Sequence, residues 1–185
     1  MSQKASSLRK WIKTILFAAV LAFIIRFFLL APIVVDGPSM LPTLKNGDYL
    51  IVNRLSYIVG EPERFDIVVF RATKETDYIK RIIGLPGEHI EYKDGNLYVN
   101  GNIVKEPYVE QSRISEQQYF YFTRDFSLPD LPGNYREIPE DYVLVLGDNR
   151  PNSTDSRILG LIPLDQLVGE AHFIYWPFKR IGTVN

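Results

Sequence analysis

Ser39 lies in the run Asp36-Gly37-Pro38-Ser39-Met40-Leu41-Pro42-Thr43-Leu44. Gly37 and Pro38 fix a backbone path there, so the hydroxyl sits in a rigid, irregular loop. A turn serine ordinarily bonds its own backbone. It becomes a nucleophile only when a neighbouring base takes its proton. The usual base is histidine, and the chain has only His89 and His172. His89 falls beside a hairpin in Gly-Glu-His-Ile-Glu, and His172 opens a terminal apolar strand; both suit surface or packing roles better. Lysine also serves if burial brings its pKa towards neutrality. Lys80 is the candidate, within Tyr78-Ile79-Lys80-Arg81-Ile82-Ile83. Alternation puts Tyr78, Lys80 and Ile82 on one strand face. Lys80 then either meets solvent beside Tyr78 or points inward as a neutral amine, and periodicity alone does not choose.

A third group of residues, Gly147-Asp148-Asn149-Arg150-Pro151-Asn152-Ser153-Thr154-Asp155-Ser156-Arg157, follows the apolar strand Tyr142–Leu146. Short spacing suggests the pairs Asp148–Arg150 and Asp155–Arg157, a network able to hold a site rigid. The acidic spacing and central glycine of a calcium loop are missing, and neither a metal nor a cofactor is expected.

These residues need a scaffold, and the chain divides in two. Residues 1–35 carry Lys4, Arg9, Lys10, Lys13, Arg26 and no acid. That leaves 16 of the 21 cations against all 22 acids in residues 36–185, a formal charge of −6. An acidic body argues against a nucleic-acid partner, which needs a basic face. The absence of cysteine excludes disulfides, thiol nucleophiles and cysteine zinc sites, and fits an exported domain without staples.

From Thr14 to Val35 an apolar run is broken only by Arg26 and Pro32. At ~1.5 Å per residue, a helix over most of it spans a ~30 Å hydrocarbon core. A cleavable leader has a shorter apolar core, ~7–15 residues, and a small-x-small exit that is absent here. The expected organisation is therefore a basic cytoplasmic terminus over 1–13, one uncleaved transmembrane helix over 14–35, and an extracytoplasmic domain over 36–185 in the cell membrane. Arg26 can snorkel to the interface.

Beyond residue 35 the texture is β. The expected strands are Tyr49–Val52, Ile67–Phe70, Tyr78–Ile83, Ile90–Lys93, Leu97–Asn100, Tyr142–Leu146 and His172–Trp176. Asp94-Gly95 and Asn100-Gly101 predict two-residue hairpin turns. Residues 105–140, with Pro129, Pro132 and Pro139, predict an insertion or long excursion. The fold class expected is all-β and barrel-like, with long loops.

With these motifs in this order the chain resembles the bacterial type I signal peptidases, most closely the short Gram-positive kind. The resemblance rests on the anchor, Gly37–Leu44, Arg64-Phe65-Asp66-Ile67-Val68-Val69-Phe70, residues 78–88, and the Gly147–Arg157 run. It covers nearly the whole chain and is weakest over 105–140. It implies a membrane-bound serine endopeptidase that removes signal peptides from preproteins after small-x-small sites. Ser39 would be the nucleophile and Lys80 the general base. Ser153 would orient the Lys80 amine, with Asp148, Arg150, Asp155 and Arg157 as structural support. The Ser39 N–H would be one oxyanion donor. Gly37 replaces the serine of Gram-negative members, and Phe65 replaces a common glycine. Carried over by position, Val35, Met40, Leu44, Tyr78 and Ile79 would shape the pocket for the residue before the cut. Ile33, Leu50 and Asp77 would border that for the third residue. The peptide would pair with strand edges at Ile33–Gly37 and Asp77–Ile79.

Two other classes share these features. A membrane-anchored scaffold or binding protein would leave Ser39 and Lys80 structural. A self-cleaving repressor-type protease would share the serine and lysine but not the apolar N-terminus.

Overall fold

The computed structural model describes residues 10–20, 30–110 and 123–184. A helix covers 10–20, and the body is built from strands. In chain order they are β1 (Leu30–Val34), β2 (Tyr49–Asn53), β3 (Ile67–Arg71), β4 (Asp77–Gly84), β5 (Ile90–Lys93) and β6 (Asn96–Val99). Then come β7 (Asn102–Val104), β8 (Phe126–Ser127), β9 (Tyr142–Leu146), β10 (Ile162–Pro163), β11 (Leu167–Trp176) and β12 (Gly182–Thr183). The larger sheet runs β1-β2-β11-β3-β4-β9-β10, with β12 also on β11. The smaller runs β7-β6-β5-β8.

Alternation along the central strands sorts their side chains. Ile67 and Val69 of β3 join Met40, Leu44, Leu50 and Val52 on one side of the sheet. Val68 and Phe70 join Ile82, Val143 and Val145. From β9, Leu144 and Leu146 face a third cluster, shared with the small sheet. Strands buried on both faces read as continuous apolar runs, which is why β3 and β9 are plain in the sequence. The two expected turns form, with positive φ at Asp94 (50°) and Gly95 (72°) and at Asn100 (51°) and Gly101 (78°). That pairing of signs is the type I′ hairpin turn.

Two expectations change. The β structure is not a closed barrel but two open sheets, the larger ending at β1 and β10. Within the larger sheet β4 is shared, with residues 77–81 paired with β3 and 81–84 paired with β9. The strand changes partner midway, so among the described residues the edge of residues 77–80 away from β3 carries no strand. The apolar run to Val35 is likewise not helical throughout, because Leu30–Val34 is β1, paired from Leu30↔Asn53 to Val34↔Tyr49. Pro32 has no N–H to continue a helix, and an edge strand tolerates it. Residues 21–29 of the expected span lie outside the described residues, and among the described residues no helix is long and apolar enough to cross a membrane.

Both described ends of the expected excursion join the body. Tyr108, Leu128, Leu131 and Ile138 are buried against the small sheet, and β8 pairs with β5.

Candidate active site

Ser39 follows a short connection from β1. Gly37 takes φ +97° there, a value that favours glycine, and donates its N–H to Asn46 Oδ1 at 3.0 Å. Met40 and Leu44 plug the loop into the core. β4 supplies Lys80, whose side chain points inward and is 3 % exposed. Its Nζ donates to Ser39 Oγ at 2.9 Å and to the Ile79 carbonyl at 2.9 Å. The amine also sits 5.0 Å from the centre of the Tyr78 ring. Among the described residues no carboxylate is hydrogen-bonded to it. Burial penalises the ammonium and lowers its pKa to about 8, against the opposing pull of Asp155 and Asp148.

The two loops are tied through Asp148. Arg81, next to the lysine, holds that carboxylate in two bonds, Nε to Oδ1 at 2.9 Å and Nη2 to Oδ2 at 2.7 Å. Thr43, four residues after the serine, donates its hydroxyl to Oδ2. Gly147 closes the third side. A Cβ on it would lie 2.2 Å from Ser153 Oγ and 2.5 Å from the Ser39 carbonyl oxygen, so only glycine allows this approach.

The Gly147–Arg157 loop is pinned internally. Asp155 accepts Gly147 N at 3.0 Å and is bridged by Arg157 Nε at 2.8 Å and Nη2 at 2.7 Å. The expected Asp155–Arg157 pair is thus present, with Asp155 also capping the helical turn Ser156–Leu159. The expected Asp148–Arg150 pair is not. Their side chains diverge, Asp148 towards Arg81 and Arg150 into the small sheet. There Arg150 Nη2 meets Glu106 Oε1 at 2.7 Å. Ser153 lines the same cleft as Lys80, but its buried hydroxyl has no partner among the described residues. The Ile79 carbonyl takes the amine bond expected of it.

Phe65 adopts φ +78°, the conformation for which glycine is suited. Its N–H donates to Ile82 O at 2.8 Å, and its carbonyl accepts Arg81 Nη1 at 2.8 Å. Its ring stands edge-on to Tyr108 with centroids 5.5 Å apart.

A cleft of about 470 Å³ opens over the Ser39–Lys80 pair. Of the expected substrate residues, Ile33, Val35, Gly37, Met40, Asp77, Tyr78 and Ile79 line it. Leu44 and Leu50 do not; both are 0 % exposed and lie in the core behind Met40. Along the cleft run the outer edge of β1 and residues 77–80 of β4. Neither histidine reaches it. His89 Nδ1 lies 2.8 Å from Arg136 O, and His172 is exposed beside Glu170. Among the described residues no group of three or more side chains could hold a metal ion.

Sequence reasoning did not single out Thr43, Asn46 or Glu106. Asn149 stood in the quoted run, and nothing in its neighbours marks its contacts with residues 38 and 39.

Residues 8–176 match the family described as signal peptidase, peptidase S26. A signal peptidase I of Bacillus caldolyticus is 47% identical over 160 residues, 85% of this chain and 86% of that protein. A signal peptidase IB of Staphylococcus aureus is 45% identical over 176 residues, 94% and 92% of the two chains. Among solved structures, a crystal structure of a signal peptidase I from Enterococcus faecalis is similar at a TM-score of 0.52 and 38% identity. It covers 60% of this chain and 97% of that one.

Proposed function

This chain belongs to the signal peptidase family, peptidase S26, and from that premise we propose that it removes signal peptides from secreted preproteins with Ser39 as nucleophile and Lys80 as base. The observation that carries this is the 2.9 Å contact between a hydroxyl and an amine that burial holds near neutrality.

Neutral Lys80 takes the Ser39 proton as Oγ attacks the carbonyl carbon of the scissile bond. The oxyanion is met by the Ser39 N–H. Lys80 then gives its proton to the leaving amine, the C–N bond breaks, and the peptide remains as an ester on Ser39 Oγ. A water deprotonated by Lys80 attacks that ester, and the proton returns to Oγ as the C–O bond breaks. Histidine is not needed for any step.

The preprotein lies extended between the β1 edge and residues 77–79, where main-chain groups bind any sequence and the pockets select small side chains. Before β1 the apolar run anchors the enzyme in the bilayer, with the basic terminus in the cytoplasm. Anchoring raises the effective concentration of membrane-held substrates at the cleft.

The test is processing of a preprotein in detergent micelles. Ser39→Ala and Lys80→Ala are each expected to lose cleavage while the protein stays folded. Parent-rate cleavage by either variant would return the scaffold reading to first place.

A further inference from the structure

One residue holds two consecutive carbonyls of the nucleophile loop. Asn149 donates its backbone N–H to Ser39 O at 3.0 Å and its side-chain Nδ2 to Pro38 O at 3.1 Å. Pro38 O also accepts Leu41 N at 3.1 Å. The Pro38–Ser39 peptide is trans, the cis bonds being at Pro42 and Pro177. In a trans peptide plane the C=O and the following N–H point in opposite directions. Asn149 is 4 % exposed and lies behind the loop, whereas Ser39 lines the cleft. Drawing the Pro38 carbonyl back therefore turns the Ser39 N–H forward, where it has no acceptor among the described residues.

We infer that Asn149 is a positioning residue that aims the Ser39 N–H into the cleft as an oxyanion donor, an inference that rests on the catalytic reading of Ser39. A second observation points the same way. A carbonyl can only accept, so Nδ2 must face Pro38 and Oδ1 must face the interior. There Oδ1 is buried with no partner among the described residues. Its neighbours Asp148, Arg150 and Asp155 are all matched. An unmatched buried acceptor costs stability, and an apolar side chain of the same shape would avoid that cost. Asparagine here orients a peptide plane at the expense of the fold.

The experiment compares Asn149→Leu with the parent in the full-length enzyme. Leucine keeps the branching and the heavy-atom count and removes the orphaned acceptor, so the melting temperature is expected to hold or rise. The kcat on a preprotein is expected to fall by about tenfold to a hundredfold, less than complete removal of an oxyanion donor, with KM unchanged. A peptide aldehyde adds Ser39 Oγ across its carbonyl as a hemiacetal, with no leaving group, and its affinity should fall by the same factor. The midpoint of the pH–rate profile should not move, because Lys80 keeps its surroundings. A kcat within about twofold of the parent overturns the inference, and so does a kcat loss with unchanged aldehyde affinity. If the leucine variant does not fold, Asn149→Ala is judged by the same two criteria. Ser39→Ala separates the levels. Cleavage by that variant sinks the catalytic reading itself. Its silence, beside a normal Asn149→Leu enzyme, sinks only the role of Asn149.

Discussion

Lys80 and Arg150 are both cations withdrawn from water, at 3 % and 1 % exposure, in surroundings of opposite character. Around Arg150 every donor direction is used. Nε bonds Gly147 O at 3.0 Å, Nη1 bonds Tyr92 OH at 3.0 Å and Thr123 Oγ1 at 2.6 Å, and Nη2 bonds Glu106 Oε1 at 2.7 Å and Tyr108 OH at 2.9 Å. Burial alone would lower its pKa, but the Glu106 carboxylate and the two phenol oxygens raise it well above the ordinary guanidinium value. Around Lys80 the partners are a hydroxyl and a carbonyl, and burial prevails. A buried cation with a carboxylate stays charged and organises structure. One without a carboxylate holds its proton less tightly and becomes available for chemistry.

The largest way to break this contrast is Lys80→Arg. Arginine cannot lose its proton at working pH, so the cleft would hold a permanent cation with no carboxylate to meet it. Cleavage of a preprotein is expected to drop by about 10³-fold or more, the scale of lost general-base catalysis. A variant with measurable parent-like turnover would show that the amine is not the base.

Next in size is Arg150→Met, which leaves Glu106 buried and unpaired. Breaking one side of a buried pair costs about 3–5 kcal/mol, read as a fall in denaturation midpoint. Adding Glu106→Gln should recover most of that loss, since Tyr92 and Tyr108 can still donate to the amide oxygen. A double variant as unstable as the single would mean that packing, not charge, holds the network.

The third comparison turns on pH. Neutral Lys80 is the active form, so kcat/KM should rise through an acid limb near pH 8. Its stability effect has the opposite sense to a paired lysine. The folded pKa of about 8 lies below the ordinary lysine value of 10.5, so between those limits the unfolded chain binds more protons. Stability from this group therefore rises with pH across that window and is fully withheld below pH 8. Lys80→Met should stabilise the protein at neutral pH by about 3 kcal/mol, and its gain should shrink towards pH 10. Parallel melting curves for parent and variant at every pH would contradict a depressed amine.

What the sequence shows of these two regions differs for the same reason. The strands carrying Lys80 and the Gly147 loop are legible because local alternation and apolar runs specify them. So are the type I′ turns, written in adjacent residue pairs. The Arg150 region is not, because Glu106 is 44 positions away from Arg150 and no local pattern announces that pairing. The Thr43–Asp148 bond spans 105 positions. β1 was hidden for another reason: its apolar residues continue the run before it without a break in composition, and only Pro32 marks the change. Leu44 and Leu50 look like pocket residues by position, yet a loop that must be rigid needs plugs as well as walls. They serve as plugs.

The smallest expected effect concerns the position that joins the two regions. Phe65 holds Arg81 through its carbonyl and Tyr108 through its ring, at the cost of φ +78°. Phe65→Gly relieves a left-handed strain of about 1–2 kcal/mol. It loses an aromatic pair worth about 0.5–1.5 kcal/mol, some buried area, and about 1 kcal/mol of chain entropy. The losses outweigh the relief, so the glycine variant should melt below the parent. Phe65→Ala loses the ring but keeps the strain, and should melt below the glycine variant. That order reverses the usual preference for alanine, so an alanine variant more stable than glycine would show that the positive φ at Phe65 carries no strain.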